Sequence, residues 1–521
     1  MTIITANRPA LRLAPLALAA MLLSAECHAD WKVSPGVDLR ETYSDNLGLQ
    51  RDDLAQGGFV SELSPRLTVS TNGPRLKLTG NAQWRTFAYS EKDAPNLQDS
   101  ERRYNVDAQS MLLDQVLYLD ASANRSRQAI SAFGPLTSNA YSRANNTEIS
   151  TWRVSPYLRH RFGANATATA RFTRDSVEGG GYGYGDSKAS TSSLDMVSGS
   201  AFTTLGWNLA YTRQDLTSSP TGDNMVGSES SYQTGTAGVR WNLIPRFGLT
   251  ATVGYDDYDY PSLGQRTGGR SWTGGFVWTP SPRTSLQASF GHRYFGKTGS
   301  LAFNHRMRRS VWTVDYSDAV TTTRSQFVLP AAIDTAAMLD SMFAAAFPDP
   351  AERQQAVQNY IASAGLPSSL ATSVNYLTNR YIRIKRLQGA VALRGARSDL
   401  VVTLFSDQRN ALSMQESDST LLLGQSSALN DNTRQRGVNA NYNYRLSSRT
   451  QALAFVSATR VQSLLTDTVN NNREARVGLT HRFDARTRAS IDLRHSRGRY
   501  DLVGNGSYHE NAVAATLSVQ Y

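Results

Sequence analysis

The 521-residue sequence has one cysteine, six lysines and no apolar run long enough to cross a bilayer as a helix. The cysteine, Cys27, lies in an N-terminal stretch where Arg8 and Arg12 form a basic region ahead of an apolar run from Leu13 to Leu23, with Cys27-His28-Ala29 before Asp30. That order reads as a secretory signal peptide over residues 1–29. Acylation of Cys27 would make a lipoprotein, but Glu26 stands where that modification wants a small residue. Loss of the signal leaves no thiol, which excludes disulfides and thiolate metal sites.

A spanning helix needs about 18 consecutive apolar residues, so a helical membrane protein is excluded. Residues 30–521 also lack a linker, a composition shift and any βαβ alternation, which argues for one large architecture over several soluble domains. A barrel fits the 40% hydrophobic content and negative mean hydropathy, because only every second residue of its strands faces lipid.

What is present is alternation of period two in segments of about ten residues. In the last segment Val513, Ala515, Leu517, Val519 and Tyr521 share one face, while Ala514, Thr516, Ser518 and Gln520 share the other. Phe247 to Asp256, Val438 to Leu446 and Ala475 to Phe483 repeat the pattern. Ser281-Pro282-Arg283-Thr284, Ser447-Ser448-Arg449-Thr450 and Asp484-Ala485-Arg486-Thr487 join alternating segments as short periplasmic turns, with Trp207, Trp241 and Trp278 beside such connections as an interfacial girdle. Val513, Leu517, Val519 and Tyr521 form the C-terminal signal that barrel assembly machinery would read.

The expected fold is therefore all-β: a transmembrane antiparallel up-and-down β-barrel over 30–521, of about 22 strands, with 18 to 22 compatible with the pattern. That count takes Arg306 to Ser317 and Thr321 to Leu329 as separate strands. Longer connections, Asp45 to Gly58 and Ala129 to Asn145 among them, are placed outside, with strict alternation of short turns and long loops. Residues 330–377 do not alternate and read as a helical insert, with Asp349 and Pro350 at a helix start, Glu352 three residues after the aspartate, and Gly365 and Pro367 at its close. The insert emerges on the extracellular side, as a cap or as an obstruction of the lumen.

The formal charge of +11 falls to +10 when Arg8, Arg12 and Glu26 leave, and the excess is almost all arginine. Arg240, Arg293, Arg445, Arg476, Arg482, Arg488 and Arg494 occupy the polar phase and should face the lumen. Such a wall contacts anions through paired guanidinium donors, or else pairs with lumen acids such as Asp256 and Asp492, or binds lipopolysaccharide phosphates at the rim. Export removes the opportunity for nucleic-acid binding. His160, His292, His305, His481, His495 and His509 are scattered without metal-ligand spacing, and no nucleophile pairs with a base, so neither metal, cofactor nor catalytic residues are expected. Asp256-Asp257-Tyr258-Asp259 and Asn470-Asn471-Asn472 read as solvated loop tips rather than calcium loops.

Four stretches carry a resemblance: Val33 to Val37 with Glu41 to Asn46, Ser61 to Leu67, Tyr316 to Thr322, and Pro348 to Val357. On these the chain resembles the outer-membrane barrel proteins associated with PEP-CTERM/exosortase and exopolysaccharide loci. The resemblance implies an outer-membrane location and work beside a polysaccharide export system, and supplies no catalytic residues. The expected function is a non-enzymatic barrel assisting export or surface attachment of an anionic exopolysaccharide. An anion-selective porin and a closed structural or assembly partner are the alternatives, and outer-membrane lipid and lipopolysaccharide are the expected surroundings.

Overall fold

Backbone groups facing lipid find no water to bond, so a sheet that crosses a bilayer must close on itself. The computed structural model contains one such sheet, with 22 antiparallel strands and β22 paired back onto β1. It describes residues 31–136, 139–179, 186–218, 228–260, 267–328, 381–413, 432–466, 468–500 and 506–521. The expected signal peptide at 1–29 and helical insert at 330–377 lie outside these residues.

The first strands are β1 (Lys32–Ser44), β2 (Gly58–Asn72), β3 (Leu76–Tyr89), β4 (Ser100–Leu113), β5 (Leu117–Ala129), β6 (Asn146–Phe162) and β7 (Ala166–Gly179). Next come β8 (Ser187–Ser198), β9 (Leu205–Ser218), β10 (Ser228–Ile244), β11 (Phe247–Asp259), β12 (Gly268–Ser281), β13 (Thr284–Arg293), β14 (Gly296–Arg306) and β15 (Ser310–Thr322). A short helix α1 (Thr323–Val328) follows, then β16 (Tyr381–Arg394), β17 (Ser398–Ala411), β18 (Thr433–Arg445), β19 (Thr450–Ser463), β20 (Val469–Arg482), β21 (Thr487–Tyr500) and β22 (Gly506–Gln520).

Alternation sorts the side chains as a membrane requires. On β20 to β22, Val477, Leu479, Ile491, Leu493, Val513 and Leu517 are exposed on the outer face, while Arg494, Ser496, Ala512 and Ala514 are buried on the inner one. Exposed apolar outer faces around a closed sheet are stable only in lipid, and the chain is an outer-membrane β-barrel. Trp241 and Trp278 are exposed close to the periplasmic turns. Near the opposite end the rings of Tyr43 and Phe59 lie 5.1 Å apart. The inner wall is uneven: Asp195, Asn208 and Arg240 are exposed, whereas Asp399, Thr403, Asp407 and Arg409 on β17 are buried.

Three expectations are corrected. The segment expected as a strand from Thr321 to Leu329 does not form one of its own: Thr321 and Thr322 end β15, Thr323–Val328 is helical, with Arg324 paired with buried Asp175 and bonded to Ser187 Oγ at 2.8 Å, and Leu329 lies outside the described residues. Short and long connections do not alternate strictly, since β13 and β14 meet on the extracellular side through Tyr294-Phe295 alone, where Gly296 adopts a φ of 108°. Asp256 to Asp259 and Asn470 to Asn472 are strand residues rather than loop tips, so neighbouring side chains point to opposite faces.

The two faces should respond differently to charge. Val477→Arg, placed in the lipid-facing band, is expected to cost about 2–4 kcal/mol in vesicle unfolding measurements. Thr252→Arg, on the inner face of β11, should stay within about 1 kcal/mol of the parent.

Candidate functional site

The extracellular mouth is organised by polar residues on the inner face of β22. Long connections ordinarily run over the surface because their backbone polar groups need water. The connection Ala129–Asn145, expected outside, instead folds inward and carries its apolar residues with it. Phe133 and Ala132 are fully buried, and Tyr141 is nearly so. Tyr141, Ala140, Leu47 and Ala94 pack with Val60 and Phe87, so the connections after β1, β3 and β5 share one apolar cluster over this side of the mouth.

The carbonyls lost to water find donors on distant strands. Asn470 Nδ2 donates to the carbonyls of Ala132 and Gly134 at 2.9 and 3.0 Å. Tyr508 Oη accepts the Leu136 amide at 3.3 Å and lies 2.9 Å from Asn472 Oδ1. Glu510, with no exposed surface, receives four donors on one oxygen: Ser44 Oγ at 2.9 Å, Tyr141 Oη at 2.8 Å, Arg494 Nη2 at 2.8 Å and Asn139 Nδ2 at 3.4 Å. A carboxylate taken out of water is tolerated when it is paired and hydrogen-bonded, and here one acid joins β1, β21 and β22 to the inward loop.

The connection after β1 has further contacts of its own. Asp45 accepts the backbone and side-chain N–H groups of Asn511, each at 2.7 Å. Asp52 receives Ser507 Oγ at 2.9 Å and the His509 amide at 2.8 Å, with His509 Nδ1 at 2.6 Å. Burial raises the Asp52 carboxyl, but the hydrogen bonds from Ser507 and His509 outweigh it and hold the group below its ordinary value.

The seven arginines assigned to the lumen sort by height. Arg293 pairs with fully buried Asp256 at 2.5 Å, and Arg494 pairs with Glu510; both lie away from the periplasmic turns. Arg476 stands midway, its guanidinium 5.8 Å from the centre of the Phe455 ring. Toward the periplasm, Arg240 donates to Asn242 Oδ1 at 2.8 Å, Arg445 to the Ala396 carbonyl at 2.9 Å and Arg482 to the Ser448 carbonyl at 3.4 Å. Arg488 is the second residue of β21, beside the periplasmic turn. None of these four forms an ion pair among the described residues. Of the acids expected to neutralise the lumen, Asp256 does so and Asp492 forms no ion pair among the described residues.

The turns add a feature that sequence reading missed. Arginine is the residue immediately before the strand in seven of the ten periplasmic turns: Arg75, Arg246, Arg283, Arg309, Arg397, Arg449 and Arg486. In each, the arginine carbonyl accepts a neighbouring strand's amide at 2.7 to 2.9 Å. A carbonyl is the same in every residue, so the backbone does not call for arginine. Only Arg75 forms an ion pair, with Asp114 at 3.2 Å; the other six have none among the described residues, although Asp484 stands beside Arg486 and accepts its backbone amide at 2.7 Å. Reading those turns for charge as well as for geometry would have found the series.

Val513, Leu517 and Tyr521 at the C-terminus are exposed outward, and the Tyr521 amide bonds the Pro35 carbonyl at 2.8 Å across the seam. Among the described residues no group of histidines, cysteines and acids could hold a metal ion.

No family model matches the sequence, and no curated protein matches it. Among solved structures, the siderophore receptor PirA from Pseudomonas aeruginosa is 8% identical at a TM-score of 0.43, covering 94% of this chain and 80% of that one. The FrpB iron transporter from Neisseria meningitidis is 10% identical at 0.49, with 94% and 82% covered. PirA from Acinetobacter baumannii is 6% identical at 0.47, with 94% and 80% covered. At such scores the likeness carries no argument.

Removing the acid at the centre of the latch should be costly. Glu510→Gln leaves Arg494 buried without its counter-charge and is expected to lose about 3 kcal/mol in denaturant unfolding. Ser44→Ala, which removes one neutral donor, should lose about 1 kcal/mol. Acid should free the connection after β1 independently. A carboxyl depressed in the fold contributes stability above its unfolded pKa and loses it as pH falls through the lower folded value. Proteolysis between Asp45 and Gly57 should therefore accelerate once Asp52 protonates, and Asp52→Asn should show the fast rate already at neutral pH.

Proposed function

We propose that this barrel is a non-enzymatic conduit that gathers an anionic polymer, of the exopolysaccharide class, at its periplasmic face and controls its passage at the extracellular mouth. The observation that carries this reading is the gradient of uncompensated guanidinium charge. Six turn arginines without ion pairs surround the periplasmic opening, and Arg445, Arg482, Arg488 and Arg240 continue the charge inward. Nearer the mouth, Arg293 and Arg494 are neutralised by Asp256 and Glu510. A polyanion is drawn to the first region by its field and is not held by the second, which is what transit requires.

The exposed inner faces of β8 to β10 provide a wetted wall for that transit. The inward loop latched by Glu510 supplies the control element. The resemblance to barrels of exopolysaccharide loci agrees with this direction of traffic. A closed structural barrel is the second reading, favoured by the buried inner face of β17.

Single-channel recording of the refolded barrel separates these readings. The conduit should carry anion-selective current that an acidic polysaccharide blocks from the periplasmic side, and Glu510→Gln should lengthen its openings. Replacing Arg445, Arg449, Arg482 and Arg486 together by Gln should weaken the block by roughly tenfold or more, given the field those charges create. Anion selectivity without polysaccharide block would identify a porin, and silence in every form would identify the closed structural barrel.

A further inference from the structure

The outer face at the extracellular end of β18 to β21 carries a concentration of positive charge that neither the lumen nor the turns explain. Strand register places Arg436 directly opposite Arg460, and Arg473 directly opposite Arg497. All four side chains are exposed. Register also sets Arg473 opposite Ala458, two residues from Arg460, which joins the two pairs into one patch. His509 stands opposite Arg497 on β22, where it is held by Asp52 and bounds the patch. None of the four arginines has an ion pair among the described residues.

Like charges directly opposite across a strand pair repel, and the sheet gains nothing from them. Two such pairs side by side are an arrangement that an anionic ligand would stabilise. The location specifies where that ligand lies. Two to four residues toward the periplasm on the same outer faces stand Val438, Val456, Val477 and Leu493, with Val477 57% exposed. The patch therefore sits at the boundary between hydrocarbon and headgroups, where arginine stems can lie along acyl chains while guanidinium groups bond phosphate in pairs. The equivalent outer row on the other side of the barrel differs, because β9 and β11 present Asp215, Asp257 and Asp259, and Arg213 there is paired with Asp215 at 3.2 Å.

We propose that Arg436, Arg460, Arg473 and Arg497 form a binding site for a phosphorylated glycolipid of the outer leaflet, of the lipid A type, seated against β18 to β21. Its phosphates meet the paired guanidinium groups, and its acyl chains lie over the valines and leucines beneath. The site is on the outer wall and is independent of what passes through the lumen.

The test uses the full refolded barrel in micelles with lipid A, with phosphatidylcholine, or with inorganic phosphate alone. Retained lipid is read by native mass spectrometry, and thermal unfolding is followed in parallel. The parent should retain lipid A and gain thermal stability from it. The pair Arg460→Gln with Arg473→Gln should lower lipid A affinity by about tenfold or more, since two charge-assisted phosphate contacts are lost. Without lipid A the same variant should be as stable as the parent or more so, because repulsion is relieved. That reversal of sign is something a purely structural role would not produce. A gel-mobility assay of folded barrel confirms assembly, and Arg213→Gln on the opposite side should leave lipid A retention unchanged. Equal retention by parent and double variant would overturn the site, as would equal destabilisation with and without lipid A. The same stabilisation from inorganic phosphate alone would reduce it to an ion site and overturn the lipid assignment.

Discussion

The constraint on which the structure depends is closure of β22 against β1. In lipid an open sheet edge leaves a row of backbone groups unbonded, each at a cost of several kcal/mol, so the first and last strands must find each other across the whole chain. They do so from Gly36 opposite Gln520 to Ser44 opposite Ala512. The same last strand also organises the mouth. Its outer face offers Val513 and Leu517 to lipid, and its inner face offers Tyr508 and Glu510 to the inward loop. Its extracellular extension offers Ser507, His509 and Asn511 to the connection after β1. Seam and mouth are thus built on one strand.

The arginine surplus is then placed according to solvent. Where the wall is dry, several arginines are neutralised by acids, as Arg494 is by Glu510, Arg293 by Asp256 and Arg324 by Asp175, because an unpaired buried charge is costly. Where water or headgroups reach, at six of the seven arginine-bearing periplasmic turns and on the outer belt of β18 to β21, arginines stand without ion pairs among the described residues. A formal charge spread over 521 residues hides this division. Its functional content lies in which arginines remain uncompensated and on which surface, and that is the basis for assigning the periplasmic end to polyanion capture and the outer belt to lipid.

Alternation made the architecture legible, because lipid on one face and polar contents on the other impose period two on every strand. It failed wherever the chain left that rule. Thr321 to Leu329 continues a plausible alternation, but Arg324 is drawn to Asp175, almost 150 positions earlier in the chain, a contact that no local pattern contains. Tyr294-Phe295 carries no turn residue except the following Gly296, so a two-residue extracellular hairpin could not be foreseen. The loop after β5 looked like solvent-exposed chain because its Ser and Asn content is that of a surface loop. Those same residues bond carbonyls and acids inside the mouth. Glu41 to Asn46, which carried the family resemblance, turns out to hold three of the mouth's anchors: Ser44, Asp45 and Asn46.

That overlap decides which part of the mouth can move. Ser44 lies in the stretch of β1 paired with β22, and Asp45 bonds Asn511 directly beyond it. Displacing the connection after β1 through these residues would loosen the seam at its lipid-facing edge, where backbone groups have no alternative partner. The loop after β5 is bound differently. Asn139 and Tyr141 reach Glu510 through side chains, and Ala132, Gly134 and Leu136 are held by the side chains of Asn470 and Tyr508, so the loop contributes nothing to the barrel's own ladder. Its release would also break its bonds to the connection after β3, where the Tyr141 carbonyl accepts the Gln98 amide at 3.2 Å and the Arg143 amide donates to the Asn96 carbonyl at 2.6 Å, and would open the apolar cluster the two share, but all twenty-two strands could stay paired. Among the described connections, the loop after β5 is therefore one that can move and leave closure intact, with the loop after β1 acting as the fixed side of the mouth.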